Sequence, residues 1–372
     1  MRGALAKLQG VGRAFLLAIV RTVFPREAGP GMGVDSRAVR SILVVRTDER
    51  VGNLLLTTPL LTVLRERLPG ARVGLLCAAR LAGVVEGTGL YDELWRFEKR
   101  DLFRRPWRFL ALCLRLRGRY EVAIEAGHWH AFSFTAGMLV RWSGAPVRIG
   151  HRRGDAARLL THAVEKDPAV VHDARAKIEL LAPLGIAGVA LPLPRTGLGI
   201  AQAERFAGLF GAEKPVVLVN PGGRKADHRA SPALIGWAVR ALMERREAAV
   251  WVAWGPGEES LARAVVGAVG GARMLPPTTL DELAGALRAA AVFVTHDSGP
   301  MHLAAAVGRP MVAVLLQEDG ERWIWPGTRA VRIRGLPDGD AAAAISEAAG
   351  ELLDEVARGR IAAGAASAAK LA

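Results

Sequence analysis

Short runs rich in Val, Ile and Leu recur along the chain, separated by longer stretches in which apolar residues return every three or four positions. The first pattern suits a strand buried on both faces, the second a helix with one buried side. In the first half, Ser41–Arg46, Arg72–Cys77, Glu93–Phe97 and Glu121–Glu125 predict strands, and Leu54–Leu68, closed by Pro69-Gly70, predicts a helix after the first of them. The second half repeats the alternation with Pro215–Asn220, Ala249–Trp254, Val292–Thr295 and Met311–Leu316, each followed by a Gly or Pro turn signal. Strands alternating with helices predict an α/β protein of two Rossmann-like, doubly wound domains facing a cleft.

A length of 372 residues agrees with about two domains. The text divides into a basic amphipathic extension (1–33), a first domain (34–192), a linker (193–214) opened by Pro192, Pro194, Gly197 and Gly199, a second domain (215–340), and a C-terminal helix with an Ala-rich tail (341–372). In the extension, Leu5, Leu8, Phe15, Leu16, Ile19 and Val23 share one helical face and Lys7, Arg13 and Arg21 the other, which fits a helix lying on a membrane surface. Gly10 and Gly12 each weaken that helix by about 1 kcal/mol, so a loosely ordered extension is the alternative. No uncharged apolar run reaches the roughly 18 residues of a membrane span.

Composition changes this picture little: 51% apolar and 23% charged residues describe a folded chain. The net charge of +14 favours anionic partners, although a solvated, Arg-rich surface accounts for it equally well. Six arginines fall between Arg104 and Arg119 beside an apolar face, and this stretch, with residues 1–24, is the candidate contact for an anionic membrane; a packed helix with a solvated edge is the competing reading. Nucleic acid is not an expected partner, because no RNA- or DNA-binding module accompanies the charge. Cys77 and Cys113 sit in apolar runs, which predicts buried reduced thiols and a cytoplasmic protein, peripheral at most to the membrane.

Candidate chemistry concentrates at strand ends. The stretch Val294-Thr-His-Asp-Ser-Gly-Pro-Met-His-Leu-Ala-Ala-Ala306 ends a buried run and opens a helix, so Ser298 and Gly299 would offer backbone N–H groups to a phosphate. Asp297 either accepts from sugar hydroxyls or caps the helix; His302 either donates to phosphate or packs. Leu218-Val-Asn-Pro-Gly-Gly223 and Gly255-Pro-Gly-Glu-Glu259 end two further strands; taken singly, their glycines suit ordinary turns.

These stretches together resemble glycosyltransferase family 9, the lipopolysaccharide heptosyltransferases, and the similarity runs roughly from Ser41 to Arg334, through Arg141–Gly150 and His172. The resemblance implies a GT-B type glycosyltransferase that inverts at the anomeric carbon, needs no metal or other cofactor, takes a nucleotide-diphospho-sugar such as ADP-heptose, and acts on a phosphorylated glycolipid or glycan of the lipopolysaccharide core. It implies donor contacts for Asp297, Ser298, Gly299 and His302, and for Asn220, Pro221, Gly222, Gly223, Gly255 and Glu258. Where the family has Lys ahead of Trp-Pro, this chain has Arg229-Ala-Ser-Pro232, and Arg229 keeps the charge that neutralises a departing diphosphate.

One departure bears on catalysis. The family's Gly-Asp after the first strand carries the base that takes the acceptor proton; here the text is Gly52-Asn53, and an amide is no base near neutral pH. Asp48 or Glu49 in the same loop, or Glu125 at the end of its strand, replaces it, with Glu125 slightly favoured because its side chain is expected to enter the cleft; otherwise the protein is a weak or silent binder of nucleotide sugar or glycan. Other signals point to nothing: Asp338-Gly-Asp340 reads as a loop past the last strand, His128-Trp-His130 lacks a visible third metal ligand, and Gly10-Val-Gly12 and Gly87-Thr-Gly89 lack the rest of a dinucleotide fingerprint.

Overall fold

The structure, a computed structural model, describes Thr22 and residues 33–360. The amphipathic pattern of residues 1–24 and the tail beyond Arg360 therefore fall almost wholly outside the described residues.

The chain forms two compact units, the first running to Ala82 and from Thr88 to Pro192, the second taking Gly83–Gly87 and resuming at Leu193. The first unit holds a six-stranded parallel sheet of β1 (Ser41–Arg46), β2 (Arg72–Ala78), β3 (Glu93–Phe97), β4 (Val122–Glu125), β5 (Val147–His151) and β6 (His162–Val164), ordered β3-β2-β1-β4-β5-β6. The second holds β7 (Val216–Asn220), β8 (Ala249–Val252), β9 (Arg273–Met274), β10 (Val292–His296), β11 (Met311–Leu315) and β12 (Arg329–Arg332), ordered β12-β11-β10-β7-β8-β9. Each is the doubly wound order of a Rossmann sheet, with its switch point between the two central strands, β1 and β4 in one and β7 and β10 in the other. Ligands of such sheets bind beyond the carboxyl ends of those strands.

The central strands β1, β4, β7, β10 and β11 are buried along their whole length, because helices cover both faces of a parallel sheet. Val217, Val219, Val250, Val292 and Val312 pack under Leu234, Ile235, Leu242, Ile345 and Leu352 in the core of the second unit. In the first, the ring of Tyr120 lies over Gly74, where an added Cβ would overlap the phenol oxygen. That oxygen accepts from Trp95 Nε1 at 2.7 Å and donates to Glu93 at 2.5 Å, and burial with this Glu93 contact raises the phenol pKa. Cys77 and Cys113 are buried free thiols.

Three expectations need correction. The helix read over Leu54–Leu68 is two helices, Val51–Leu55 and Thr58–Arg67. Pro59 in the first turn of the second cannot donate, and the hydroxyls of Thr57 and Thr58 bond back to the carbonyls of Asn53 and Leu55 at 3.0 and 2.8 Å. Residues 193–214 are not a free linker: the helix Ala203–Phe210 packs on Leu280–Ala289, Gly199 N–H donates to Asp281 at 2.7 Å, and Arg205 pairs with Glu282 at 2.7 Å. Asp338-Gly-Asp340 is the first turn of the helix Asp338–Ala357, where carboxylates favour the helix dipole.

Candidate functional site

The carboxyl ends of β7, β8 and β10 bound a cavity of about 510 Å³ in the second unit. Asn220, Gly223, Gly255, Glu258, Ser298 and Gly299 line it, so six of the residues singled out from sequence come together there.

Their local structure explains the motifs. Asn220 Oδ1 accepts from Gly222 N–H at 2.7 Å and turns the chain sharply at the end of β7. Glu258 then ties this turn to the next: Oε1 accepts from Gly223 N–H at 2.7 Å and Oε2 from Gly255 N–H at 3.2 Å. Gly222 is glycine for a steric reason, since a Cβ there would overlap the Glu258 carboxylate. Glu258 therefore holds the loops that line the cavity.

Beyond β10, the helix Gly299–Ala306 starts at Ser298, which makes no side-chain capping bond. Pro300 in its first turn has no N–H to leave unsatisfied. A second helix, Leu280–Ala289, also begins at the cavity, and a capping box of Thr279 and Glu282 takes up two of the amides at its start. The end at Ser298 has no side-chain cap, and an uncapped helix start can seat an anion.

Arg229 is half-buried beside this end. A Cβ built on Gly223 would lie 3.6 Å from Arg229 Cγ and 3.8 Å from Ser298 Cβ, so the three converge. Asp297 directly precedes the N-cap residue Ser298, and its carboxylate lies 3.7 Å from His228 Nδ1. His302 is buried, and its Nδ1 accepts from Trp325 Nε1 at 2.9 Å, which leaves the proton on Nε2. Packing and a fixed tautomer thus go together.

Sequence reasoning missed His296. Its Nε2 accepts from Ala230 N–H at 2.9 Å, bracing the end of β10 against the chain that carries Arg229. Burial drives its pKa down to about 4, against a smaller pull from the Gly222 backbone, so the strut is neutral. Arg224, Trp254, Thr278, Thr279 and Leu283 also line the cavity unforeseen, although Thr279-Leu-Asp-Glu282 is a legible capping-box pattern.

The first unit holds the candidate bases. Asp48 is partly exposed in the loop after β1, 4.0 Å from Arg46, and accepts from Arg50 N–H at 2.8 Å. Burial pulls its pKa up, but Arg46, the Arg50 amide and the Asn53 side chain together outweigh it and hold the carboxyl below its ordinary value. Asn53 is itself buried, with an Nδ2 that forms no well-aligned hydrogen bond among the described residues. Glu49 is exposed, and its carbonyl accepts from Arg80.

Glu125 departs from expectation. Its side chain does not enter open space but is buried and paired with Arg153, whose guanidinium also donates to the carbonyls of His128 and Ala131 at 2.7 Å. A carboxylate sunk and neutralised in this way is badly placed to meet an acceptor hydroxyl.

Behind Asp48 runs a chain that sequence did not reveal. Arg46 donates to the Ala126 carbonyl at 2.8 Å and approaches His128 Nε2 at 2.9 Å; His128 Nδ1 faces both oxygens of Asp173 at 3.0 Å; and Asp173 pairs with Lys177, fully buried. Burial opposes ionisation of Asp173, but Lys177 and His128 hold its pKa well below the usual value, while burial lowers that of Lys177 and takes that of His128 to about 4. Asp173 also supplies the third metal ligand missing from the sequence reading, since donor atoms of His128, His130 and Asp173 lie within 4.8 Å of one another. The trio does not fit a metal, because His128 Nε2 is engaged by Arg46 and Lys177 already occupies the cationic place beside Asp173.

Comparison with known proteins gives the family and the fold. Residues 109–342 match the model of glycosyltransferase family 9 (heptosyltransferase). Lipopolysaccharide heptosyltransferase 3 of Escherichia coli is 24% identical over 293 residues, 73% of this chain and 82% of that protein. A family 9 glycosyl transferase from Veillonella parvula superposes with a TM-score of 0.75 at 19% identity, over 87% of this chain and 99% of that one. The ADP-heptose lipopolysaccharide heptosyltransferase II of E. coli does so with a TM-score of 0.69 at 21% identity, over 85% and 99%. The E. coli heptosyltransferase WaaC, solved with ADP, gives 0.64 at 19% identity, over 85% and 99%. The chain belongs to glycosyltransferase family 9, the heptosyltransferases.

Proposed function

We propose that this glycosyltransferase moves a heptose from ADP-heptose onto the lipopolysaccharide core or a related phosphorylated glycan, with inversion and without a metal, at the inner face of the cytoplasmic membrane. The reading is supported above all by the helix end at Ser298, which has no side-chain cap and borders a cavity of about 510 Å³. The relatives' names, lipopolysaccharide heptosyltransferase and a heptosyltransferase solved with ADP, give the substrate class.

In this reaction an acceptor oxygen attacks the anomeric carbon as the bond from that carbon to the diphosphate oxygen breaks. Charge builds on the departing ADP, and the amides at Ser298 and Gly299 with the guanidinium of Arg229 stabilise it where it develops. Neutral His302, donating through Nε2, and Asp297 orient the donor. Asn220, Pro221, Gly222, Gly223, Gly255 and Glu258 keep the cavity in shape before substrate arrives. The acceptor proton passes to a carboxylate of the first unit. Asp48, ionised and partly exposed, suits that role better than Glu125, which Arg153 neutralises.

Purified protein incubated with ADP-heptose and core acceptor should release ADP, and Asp48→Ala should slow the release far more than Glu125→Ala at equal stability. Unchanged turnover in both variants removes the assignment of the base. A second reading is favoured by Asn53 alone: a member that binds the nucleotide sugar without transferring it. Tight ADP-heptose binding by calorimetry with no ADP release would establish that reading instead.

A further inference from the structure

The helix Pro106–Leu116 is apolar on two sides. Its inner side is anchored: Phe109 packs edge-on to Phe97 and Trp142 with centroids 6.2 and 5.7 Å apart, and Cys113 and Leu116 are buried in the core of the first unit. Its outer side carries Trp107, Leu110 and Leu114, at i, i+3 and i+7, exposed by 64%, 59% and 62%, and Phe103 just before it is 85% exposed. A folded protein seldom leaves four large apolar side chains in one exposed row without something to cover them.

Charge says what that covering is. Arg104, Arg105, Arg108, Arg115, Arg117 and Arg119 accompany the row, and no acidic residue occurs between Asp101 and Glu121. Arg96, Arg108 and Arg115 also line a cavity of about 350 Å³ on the flank of the helix, together with Glu98 and Asp101. The Arg115 guanidinium sits 5.1 Å from the Trp95 ring centroid, which fixes its direction.

We infer that Phe103, Trp107, Leu110 and Leu114 insert into the headgroup layer of a membrane containing anionic lipid, while the flanking arginines bind lipid phosphates. Eleven residues make a helix of about 16 Å, about half of the roughly 30 Å hydrocarbon core, so the helix lies in the plane of the surface. Among the described residues no helix is long and apolar enough to cross a membrane, so attachment of this part of the chain is interfacial. This surface is independent of the transfer chemistry, and its test does not need an active enzyme.

The test is co-sedimentation of the full-length protein with vesicles of phosphatidylcholine alone and of phosphatidylcholine mixed with phosphatidylglycerol. The protein should pellet only with the mixed vesicles. Partitioning should fall by at least roughly tenfold in Trp107→Ser/Leu110→Ser/Leu114→Ser, and also in Arg104→Glu/Arg105→Glu/Arg108→Glu, with melting temperatures unchanged. Brominated lipid should quench part of the tryptophan fluorescence of the wild type but not that part lost in Trp107→Phe. Variants that pellet like the wild type would overturn the inference and point to residues 1–32 as the anchor. So would a wild type that ignores both vesicles and forms a dimer that the triple Ser variant dissociates, for the row would then bind a second copy of the chain.

Discussion

Replacing Glu258 by Gln tests how the cavity of the second unit is held, and whether ADP binds in it. The carboxylate accepts two backbone N–H groups, from Gly223 at 2.7 Å and Gly255 at 3.2 Å. A Gln side chain offers one acceptor oxygen and turns an NH₂ group toward the second donor, so one charge-assisted bond is lost, worth about 1.5–3 kcal/mol. With about 2 kcal/mol lost, the melting temperature should fall by roughly 4–8 °C. If ADP must then reorder the loops, its Kd should rise about thirtyfold, since 1.4 kcal/mol is tenfold. Scanning calorimetry and isothermal titration read both quantities. A double-mutant cycle sharpens the test, because a Cβ on Gly222 collides with this same carboxylate. Gly222→Ala should therefore cost much less in a Glu258→Ala background than alone. An additive cycle, or an unchanged Kd in Glu258→Gln, would refute the idea that Glu258 shapes the donor site.

Asn53→Asp should place a second carboxylate beside Asp48; like charges resist joint ionisation, so one of the pair should titrate above the usual carboxylate range and ADP release should quicken, as a pH–rate profile would record. Gly74→Ala should lower stability by about 1–3 kcal/mol in denaturant titrations, because the new methyl displaces the Tyr120 hydroxyl from Trp95 and Glu93. Acid should unfold the protein early. His128, His151 and His296 are buried with pKa values pushed down to about 4, 3 and 4, whereas unfolded imidazoles protonate near 6.5. The unfolded chain thus binds more protons as pH falls from about 6.5 to 4, and stability drops through that window, for His296 alone by about 3 kcal/mol; His296→Gln should flatten the slope in pH-dependent melting curves.

The central strands were legible because burial on both faces demands unbroken apolar text, as in Val216–Asn220 and Val292–His296. The missed strands lie toward the sheet edges or are short: Arg329–Arg332 carries two exposed arginines, Arg273–Met274 and His162–Val164 have two and three residues, and Val147–His151 is broken by Arg148 and Gly150. The residues that line the cavity of the second unit were legible for a different reason. Asn220-Pro-Gly-Gly223 and Asp297-Ser-Gly-Pro300 gather glycine and polar residues at the ends of buried strands, where only turn geometry or a ligand requires them. The chain from Arg46 through His128 and Asp173 to Lys177 was not legible, because its partners are far apart in sequence and single charges resemble surface residues. The burial of Glu125 was not legible for the same reason, since nothing near it announced Arg153.

The central claim is that the uncapped helix end at Ser298 receives the diphosphate of the donor. A crystal structure of the protein with ADP tests it directly. The account predicts phosphate oxygens within hydrogen-bonding reach of the Ser298 and Gly299 amides and the Arg229 guanidinium, with the rest of the nucleotide in the cavity bounded by Gly223, Gly255 and Leu283. ADP bound elsewhere, or that cavity empty at saturating ADP, would contradict it.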